Sequence, residues 1–436
     1  MKFGGTSVGG VEQIRNVASI VKDNLRAMPV VIVSAVAGIT NSLIEIANQN
    51  NSTARMQRFE SIRAKHEEIV ETLGLEPSLL DEAFDELEAL CKSKKAVTKK
   101  LLDNFVSFGE RLSAPMVAGA LEKIGVHAAA FNAWDIGMIV DEHFGSAEPL
   151  STTPALIKKN IEALKVVPVI TGYIGKTEKG DMATLGRGGS DYSAAVIGAA
   201  IHADAIQIWK EVDGIMTTDP RLVPEAKVVP ELAFEEASEL AYFGAKVLHP
   251  KTILPAMKAG VPVQVLNTFN PSGKGTTIVA SFAERRLKSH TVEALTFKKK
   301  VIAVHIVSPE FFDSNGLMAR IFELFDKYKT SIDVITTSVA SVSVTIDNDE
   351  NLEKLVNELQ KLGEVAVERG KAIVCAVGGS VNAAGVAGRM FTVLGESDIK
   401  VEMISQAASG ISITFVVEEK DAEKALKVLH KEYIEK

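Results

Sequence analysis

The chain has 436 residues, enough for two to three domains, with 46% hydrophobic and 24% charged residues, an ordinary globular balance. A formal net charge of −8 gives no footprint for nucleic acid, and the longest apolar runs are strand-sized, far short of a bilayer span. The two cysteines, Cys91 and Cys375, have no metal or redox spacing and read as small hydrophobes of a reducing, cytoplasmic compartment.

The opening, Met1-Lys2-Phe3-Gly4-Gly5-Thr6-Ser7, goes straight into a motif and reads as carrying no signal peptide. Glycines let backbone N–H groups approach an anion, and Lys2 supplies a point charge for phosphate oxygens. On its own the same string is also an ordinary turn. The β-branched run 30–36 predicts a strand buried on both faces, as do 127–131, 167–171, 205–209 and 262–266. Helical segments at 191–202 and 234–243 alternate with them, which predicts an α/β architecture. From about 52 to 105, apolar residues such as Leu80, Phe84 and Leu87 recur at helical spacing, so a helical layer is added to the sheet. Glu110 follows Phe108-Gly109 and reads as a carboxylate at a loop, either gripping an ammonium or merely charging the surface.

The most specific stretch is Gly186-Arg187-Gly188-Gly189-Ser190-Asp191-Tyr192, after a predicted hairpin over 173–182. It opens a helix with Ser190 or Asp191 as the natural N-cap, and a helix start attracts anions. An arginine between glycines can hold a carboxylate or phosphate through two parallel bonds. The loop after the 205–209 strand, from Lys210-Glu211 to Thr217-Thr218-Asp219-Pro220-Arg221, lies where open α/β sheets take ligands. Within it Asp213 and Asp219 read as turn formers, and Lys210 and Arg221 as ligand-facing charges. Lys246 lies in Phe243-Gly244-Ala245-Lys246-Val247-Leu248-His249-Pro250, whose histidine reads as structural.

Other nucleotide sites fail on spacing. Gly175-Lys176-Thr177 would need a glycine where Ile170 stands, no His-Arg-Asp catalytic loop occurs, and no His/Cys cluster suits zinc. The polar, turn-rich stretch 271–289 marks a domain boundary, and an internal repeat follows it. With Gly316 set against Gly385 and no gaps, Arg320 meets Arg389, Phe322 meets Phe391 and Asp333 meets Glu402. Ile335 then meets Ile404, Ser343 meets Ser412 and Thr345 meets Thr414. Each copy reads β-α-β-β and a further helix, as in ferredoxin-like folds.

The motifs at 2–8, 186–192, 217–221 and 243–250, in this order, resemble the aspartate kinase family over nearly the whole chain. The tandem repeat resembles that family's paired ACT domains, which sense an end-product amino acid. The resemblance implies an amino-acid-kinase-like α/β/α sandwich with a mainly parallel sheet over 1–282 and a regulatory domain over 283–436. Two βαββαβ ACT units would cover about 300–369 and 370–436, the second completed by a strand near 291–298. It implies transfer of phosphate from ATP to the side chain of L-aspartate, the first step toward lysine, threonine and methionine. Mg²⁺ would be held mainly by ATP phosphates and by no protein metal site.

The implied partners are aspartate and an inhibitory amino acid, lysine on the pattern of 331–338 with threonine as the alternative. Neither nucleic acid nor membrane is implied, and a homodimer or tetramer would form through the ACT units. Residue by residue, Lys2, Arg187 and Asp191 would be catalytic. Thr40, Glu110, Arg187, Gly188, Gly189 and Ser190 would bind aspartate. Lys2, Phe3, Gly4, Gly5, Ser34, Lys210, Glu211, Met216, Arg221, Lys246 and Val247 would line the ATP site. Ser314, Gly316, Asp333, Thr337 and Ser338 would take the effector.

Three departures stand out. Lys210-Glu211 replaces a common Thr-Asp, and Met216 a common Tyr. Only Met1 precedes the lysine where relatives carry several apolar residues, so either the sheet edge is built differently or the start lies inside the gene. The chain ends soon after the second repeat, unlike forms fused to homoserine dehydrogenase. Two other readings remain: another amino-acid kinase of the same fold, or a catalytically silent amino-acid sensor.

Overall fold

A computed structural model describes residues 1–49, 51–93, 97–245, 247–281, 291–308 and 316–435. The chain divides into two units: Met1–Ile215 with Pro230–Phe234 and Val247–Glu284, and Met216–Val229 with Glu235–Lys246 and Arg285–Lys436. Two stretches inside 1–282 therefore pack with the second unit. The expected boundary at 282/283 lies outside the described residues.

The strands of the first unit are β1 (Lys2–Phe3), β2 (Val31–Val33), β3 (Ala128–Phe131), β4 (Ile139–Val140), β5 (Val167–Thr171), β6 (Ile174–Thr177), β7 (Met182–Thr184), β8 (Ile206–Lys210), β9 (Glu231–Ala233), β10 (Val263–Asn267) and β11 (Thr276–Val279). Among the described residues they form an 8-stranded sheet, β3-β5-β2-β1-β8-β10-β11-β9, beside a small sheet β4-β6-β7. From β3 to β10 every pairing is parallel, and β11 runs against β10. Val31, Ile32 and Val33 are buried on both faces, as a central parallel strand requires. The strand predicted over 30–36 stops at Val33, and the chain from Ser34 turns away as a loop. β1 is no edge strand, because β2 and β8 flank it.

The helices in this part are α1 (Val11–Asp23), α2 (Ile39–Asn48), α3 (Ser52–Thr72), α4 (Asp81–Lys92), α5 (Lys99–Lys123), α6 (Thr153–Glu162), α7 (Gly189–Ala200), α8 (Phe234–Tyr242) and α9 (Pro250–Ala259). All of α8 beyond Phe234 belongs to the second unit. α1 buries Ile14, Val17, Ala18 and Val21, one stripe at helical spacing. α3 and α4 supply the predicted helical layer, with Phe59, Phe84 and Leu87 in the core. α5 starts at an N-cap, Thr98, whose hydroxyl accepts from Leu101 N, and it runs for 25 residues. Glu110 lies in the middle of α5 and not at a loop. Gly109 does not break the helix. A Cβ there would come within 2.6 Å of Ala35 Cβ, so the glycine lets α5 press against the loop after β2.

The second unit contains β12 (Ala294–Val307), α10 (Leu317–Lys327), β13 (Ile335–Thr337), β14 (Ser341–Ile346), α11 (Leu352–Leu359), β15 (Glu364–Val377), α12 (Val386–Glu396), β16 (Met403–Gln406), β17 (Ser412–Glu418) and α13 (Ala422–Tyr433). Its sheet has the order β13-β14-β12-β15-β17-β16. β12 and β15 pair along nearly their whole length, with register shifts between Lys298 and Ala303. The shifts divide each strand between two copies with separate cores, one around Val304, Ile321 and Val344 and the other around Val374, Met390 and Phe415. Val223, from the 216–229 stretch, joins the second core. Thr217 O accepts from Leu295 N at 2.7 Å, and Thr217 Oγ1 lies 3.0 Å from His430 Nε2 on α13.

The repeat needs one correction. Gly316 and Gly385 both cap their helices in the left-handed region, φ 104° and 87°, as the ungapped alignment requires. After them, Ile335 pairs with Val344, but Ile404 pairs with Phe415. The turn 407–411 is two residues longer than 338–340, so the structural partner of Ser343 is Thr414 and not Ser412.

Candidate active site

Lys2 sits in register with Ile32 on β2 and Ile208 on β8, so two strands hold it although it is the second residue. Its Nζ lies 2.6 Å from Asp191 Oδ1, with both side chains under a tenth exposed. Lys210 Nζ donates to Asp191 Oδ2 at 3.0 Å and to the Val247 carbonyl at 2.5 Å. Burial pushes the Asp191 carboxyl up, but the two ammonium groups outweigh it and hold the group below the usual carboxylate range. Two cations thus share one buried anion, one from β1 and one from the C-terminal end of β8.

Neither Ser190 nor Asp191, the two alternative N-caps expected, is the N-cap. α7 instead starts at Gly189 from a left-handed Gly188, without a side-chain cap. Asp191 falls in the first turn, where its carboxylate is taken by the lysines and not by backbone N–H groups. The helix start is thereby left as a cationic dipole end facing the cavity.

A cavity of about 820 Å³ opens here, lined by Lys2, Gly5, Ser34, Thr40 and Glu110 together with Arg187, Gly188, Gly189, Ser190 and Asp191. Gly5 and the loop after β2 meet closely, since a Cβ on Gly5 would lie 2.9 Å from Ala35 O. Glu110 Oε1 accepts from Ala35 N at 3.1 Å, and Oε2 is buried with no partner. Burial pushes the Glu110 carboxyl up to about 8, against weaker downward pulls from the Ala35 N–H and the Lys2 charge. A buried acceptor without a donor, in a residue that lines a cavity, fits a ligand that brings one. Arg187 is exposed between Gly186 and Gly188, whose φ values are 77° and 72°.

Other predicted residues are placed elsewhere. Phe3 is wholly buried, its ring stacked on Trp209 at 5.9 Å, and Gly4 N donates to Trp209 O, so both build the strand more than they face the cavity. Glu211 accepts from the Thr6 hydroxyl at 2.8 Å. Met216 and Arg221 belong to the second unit, where the Arg221 guanidinium rests on Asp219 at 2.6 Å with its side chain 88% exposed. Lys246 lies outside the described residues. His249 is the N-cap of α9, its Nδ1 accepting from Lys251 N. Asp213 holds the side-chain amides of Asn267 and Asn270.

Of the effector residues, Ser314 lies outside the described residues, Gly316 caps α10, and Thr337 and Ser338 are exposed where β13 ends. Asp333 is already engaged. Both its oxygens accept from Lys298 Nζ at 2.9 Å, and Oδ1 accepts from Tyr242 OH at 2.7 Å. Lys298 also meets Asp347 at 2.7 Å. The second copy repeats the arrangement: Lys371 Nζ lies 2.7 Å from Glu402 and Glu418 and 2.8 Å from Glu368. Two residues near the cavity had no motif to announce them: Tyr173, with φ 69° and its ring on the wall, and Asp103 on α5. Asp103 stands seven residues before Glu110, on the same helix face, a spacing that could have drawn notice.

Among the described residues no group of three or more His, Cys, Asp or Glu could hold a metal ion, and no helix is long and apolar enough to cross a membrane. Residues 1–267 match the family model described as amino acid kinase family, and 374–433 match one described as ACT domain. Aspartokinase 1, chloroplastic, of Arabidopsis thaliana is 35% identical over all of this chain and 80% of its own length. Lysine-sensitive aspartokinase 3 of Escherichia coli is 35% identical over all of this chain and 98% of its own. A crystal structure of E. coli aspartokinase III in complex with aspartate and ADP, in the R-state, superposes with TM-score 0.83 at 33% identity, covering 100% of this chain and 99% of that one. Its complex with lysine and aspartate, in the T-state, gives 0.80 at 34%, covering 99% and 98%.

Proposed function

The chain belongs to the amino acid kinase family and, with its full-length relatives, to the aspartokinases, and on that footing we propose how its residues carry the reaction. An oxygen of the β-carboxylate of L-aspartate attacks the γ-phosphorus of ATP. The new P–O bond forms as the bond to the β-phosphate oxygen breaks, giving 4-phospho-L-aspartate and ADP. An ionised carboxylate is already a nucleophile, so the protein needs no general base. Its task is to orient the two anions and to neutralise charge on the moving group.

The observation that carries the reading is the pairing, in one cavity, of a buried cation at Lys2 with an unpartnered buried carboxylate oxygen at Glu110. Glu110 takes the substrate ammonium, and Arg187, with Thr40 and the Gly188–Ser190 turn, takes its carboxylates. Lys2, backed by Gly5 and the α7 start, faces the transferring phosphoryl group, and Asp191 holds Lys2 and Lys210 apart and in place. Ser34, Glu211 and Val247 belong with Lys210 on the nucleotide side. Mg²⁺, when bound, would supply charge neutralisation on the phosphates, held mainly by the ATP phosphate oxygens. The test is ADP release from ATP and Mg²⁺, dependent on aspartate and absent with glutamate. ADP release with another amino acid alone, or none with aspartate, rejects the reading.

The second unit would be regulatory, binding an end-product amino acid, with lysine first and threonine second, and joining copies of a cytoplasmic homodimer or tetramer. Because Asp333 already holds Lys298, an effector ammonium must displace an internal one. Lys298→Met is therefore expected to move the lysine inhibition curve several-fold to lower concentration, and Asp333→Asn to move it upward. An inhibition curve identical in all three proteins would remove Asp333 from the effector site.

A further inference from the structure

α5 is buried on nearly every side, and yet its face toward the cavity is polar. Asp103, Ser107, Glu110 and Ser113 are each no more than 2% exposed. Glu110 and Ser113 hold the loop after β2, through Ala35 N and Ser34 O. Asp103 reaches a different wall. Its Oδ2 accepts from Gly145 N at 2.8 Å and Thr184 N at 2.9 Å, and its Oδ1 accepts from the Thr184 hydroxyl at 2.9 Å. Among the described residues no ion pair holds it, so the cost of burying a carboxylate is met mainly by three neutral donors, with a weaker pull from the Lys99 charge. Burial raises its pKa against those hydrogen bonds.

What those donors have in common is the turn that carries Arg187. Thr184 is the last residue of β7, two residues before Gly186. Gly186 and Gly188 are both left-handed, and the turn is closed by Gly189 N donating to Gly186 O at 2.9 Å, so where it sits as a unit depends on the stem that carries it. Its stem is fixed from three sides: Thr184 on Asp103, Leu185 N on Tyr173 O at 2.8 Å, and Ala147 N on Thr184 O at 2.8 Å. Gly145, also on Asp103, borders the same turn, since a Cβ on Gly186 would lie 3.1 Å from Gly145 O.

We propose that Asp103 is a positioning residue for aspartate: through Thr184 and Gly145 it sets the Gly186–Gly188 turn so that Arg187 meets the substrate carboxylate. The proposal rests on the reading of Arg187 given above. It makes α5 the common support of both aspartate contacts, Glu110 directly and Arg187 through Asp103.

In Asp103→Asn one oxygen remains for the Thr184 hydroxyl, but an NH₂ group faces the two backbone donors. The KM for aspartate is expected to rise about tenfold, with the KM for ATP within about twofold. The decisive measurement is the double-variant cycle with Arg187→Ala. If Asp103 acts through Arg187, then Asp103→Asn adds less than about twofold once Arg187 is gone. Thr184→Val, which loses only the hydroxyl, shows the same non-additivity at smaller size and serves if the asparagine variant does not fold. Additive effects in either cycle, or equal rises in both KM values, overturn the proposal while leaving Arg187 assigned. An Arg187→Ala enzyme with unchanged aspartate kinetics overturns both.

Discussion

Lys2→Ala is expected to lower kcat about 100- to 1,000-fold, with a much smaller change in the KM for aspartate. The reasoning starts from where the charge sits. Lys2 is buried, fixed by two neighbouring strands, and its Nζ is held by Asp191. An ammonium that is already desolvated and oriented needs no reorganisation when charge builds up on the phosphoryl oxygens, and at low dielectric it acts strongly. On the proposed reading aspartate is contacted by other residues, so its ground-state binding should survive. The fold survives too, since Asp191 keeps Lys210 as a partner and is not left as a lone buried charge. Steady-state kinetics at saturating ATP, alongside a thermal melt, check this. A well-folded variant with kcat within about threefold of the parent removes Lys2 from the chemistry.

Glu110→Gln should act on the other parameter. Losing a charge-assisted contact to the substrate ammonium costs roughly 2–3 kcal/mol, or about 30- to 150-fold in the KM for aspartate. The pH dependence gives the sharper signature. Burial pushes the Glu110 carboxyl up to about 8, and its ionised form pairs far more strongly with an ammonium than its neutral form. The KM for aspartate should therefore fall about tenfold per unit as pH rises toward 8 and level off above it. Glutamine should flatten that slope. Stability runs the opposite way. The folded-state pKa is raised above the ordinary glutamate value of 4.5, so this group favours folding below that value and loses its contribution as pH rises through about 8. Glu110→Gln should thus raise the melting temperature at pH 9 and leave it little changed at pH 4. Parallel melting curves for both proteins across that range would mean that burial does not disfavour the ionised Glu110 carboxylate.

Much of the sheet was legible because short, mostly apolar runs of strand length alternate with helical segments. The 167–171 strand was bounded to the residue, and 127–131, 205–209 and 262–266 to within one. The candidate cavity was legible through motifs that cluster unusual residue types, such as an arginine between glycines. Three features could not be read in this way. The role of Gly109 depends on Ala35, a contact across 74 positions of sequence, and a Phe-Gly pair looks locally like a break. The burial of 216–229 with the second unit rests on long-range partners, Leu295 and His430, which no local pattern reveals. The two extra residues in the turn 407–411 shift strand pairing while leaving the Ser/Thr match of an ungapped alignment intact. Asp103 escaped for a further reason: a single acid in a helix looks solvent-exposed until its donors are seen.

The long strands β12 and β15 have a consequence for how the regulatory half arose. Ala294–Lys298 pairs with Ile373–Val377 and completes the sheet of the second copy, while Glu364–Glu368 pairs with Ala303–Val307 and completes that of the first. The first copy thus carries its own fourth strand, after α11, whereas the fourth strand of the second lies ahead of the first copy in the chain. The second copy is not a self-sufficient module. Separated from the chain before it, it would present a bare sheet edge along Ile373–Val377, and such edges recruit a neighbour. The first copy is in this sense nested inside the second, and it is the member that could be removed or exchanged whole.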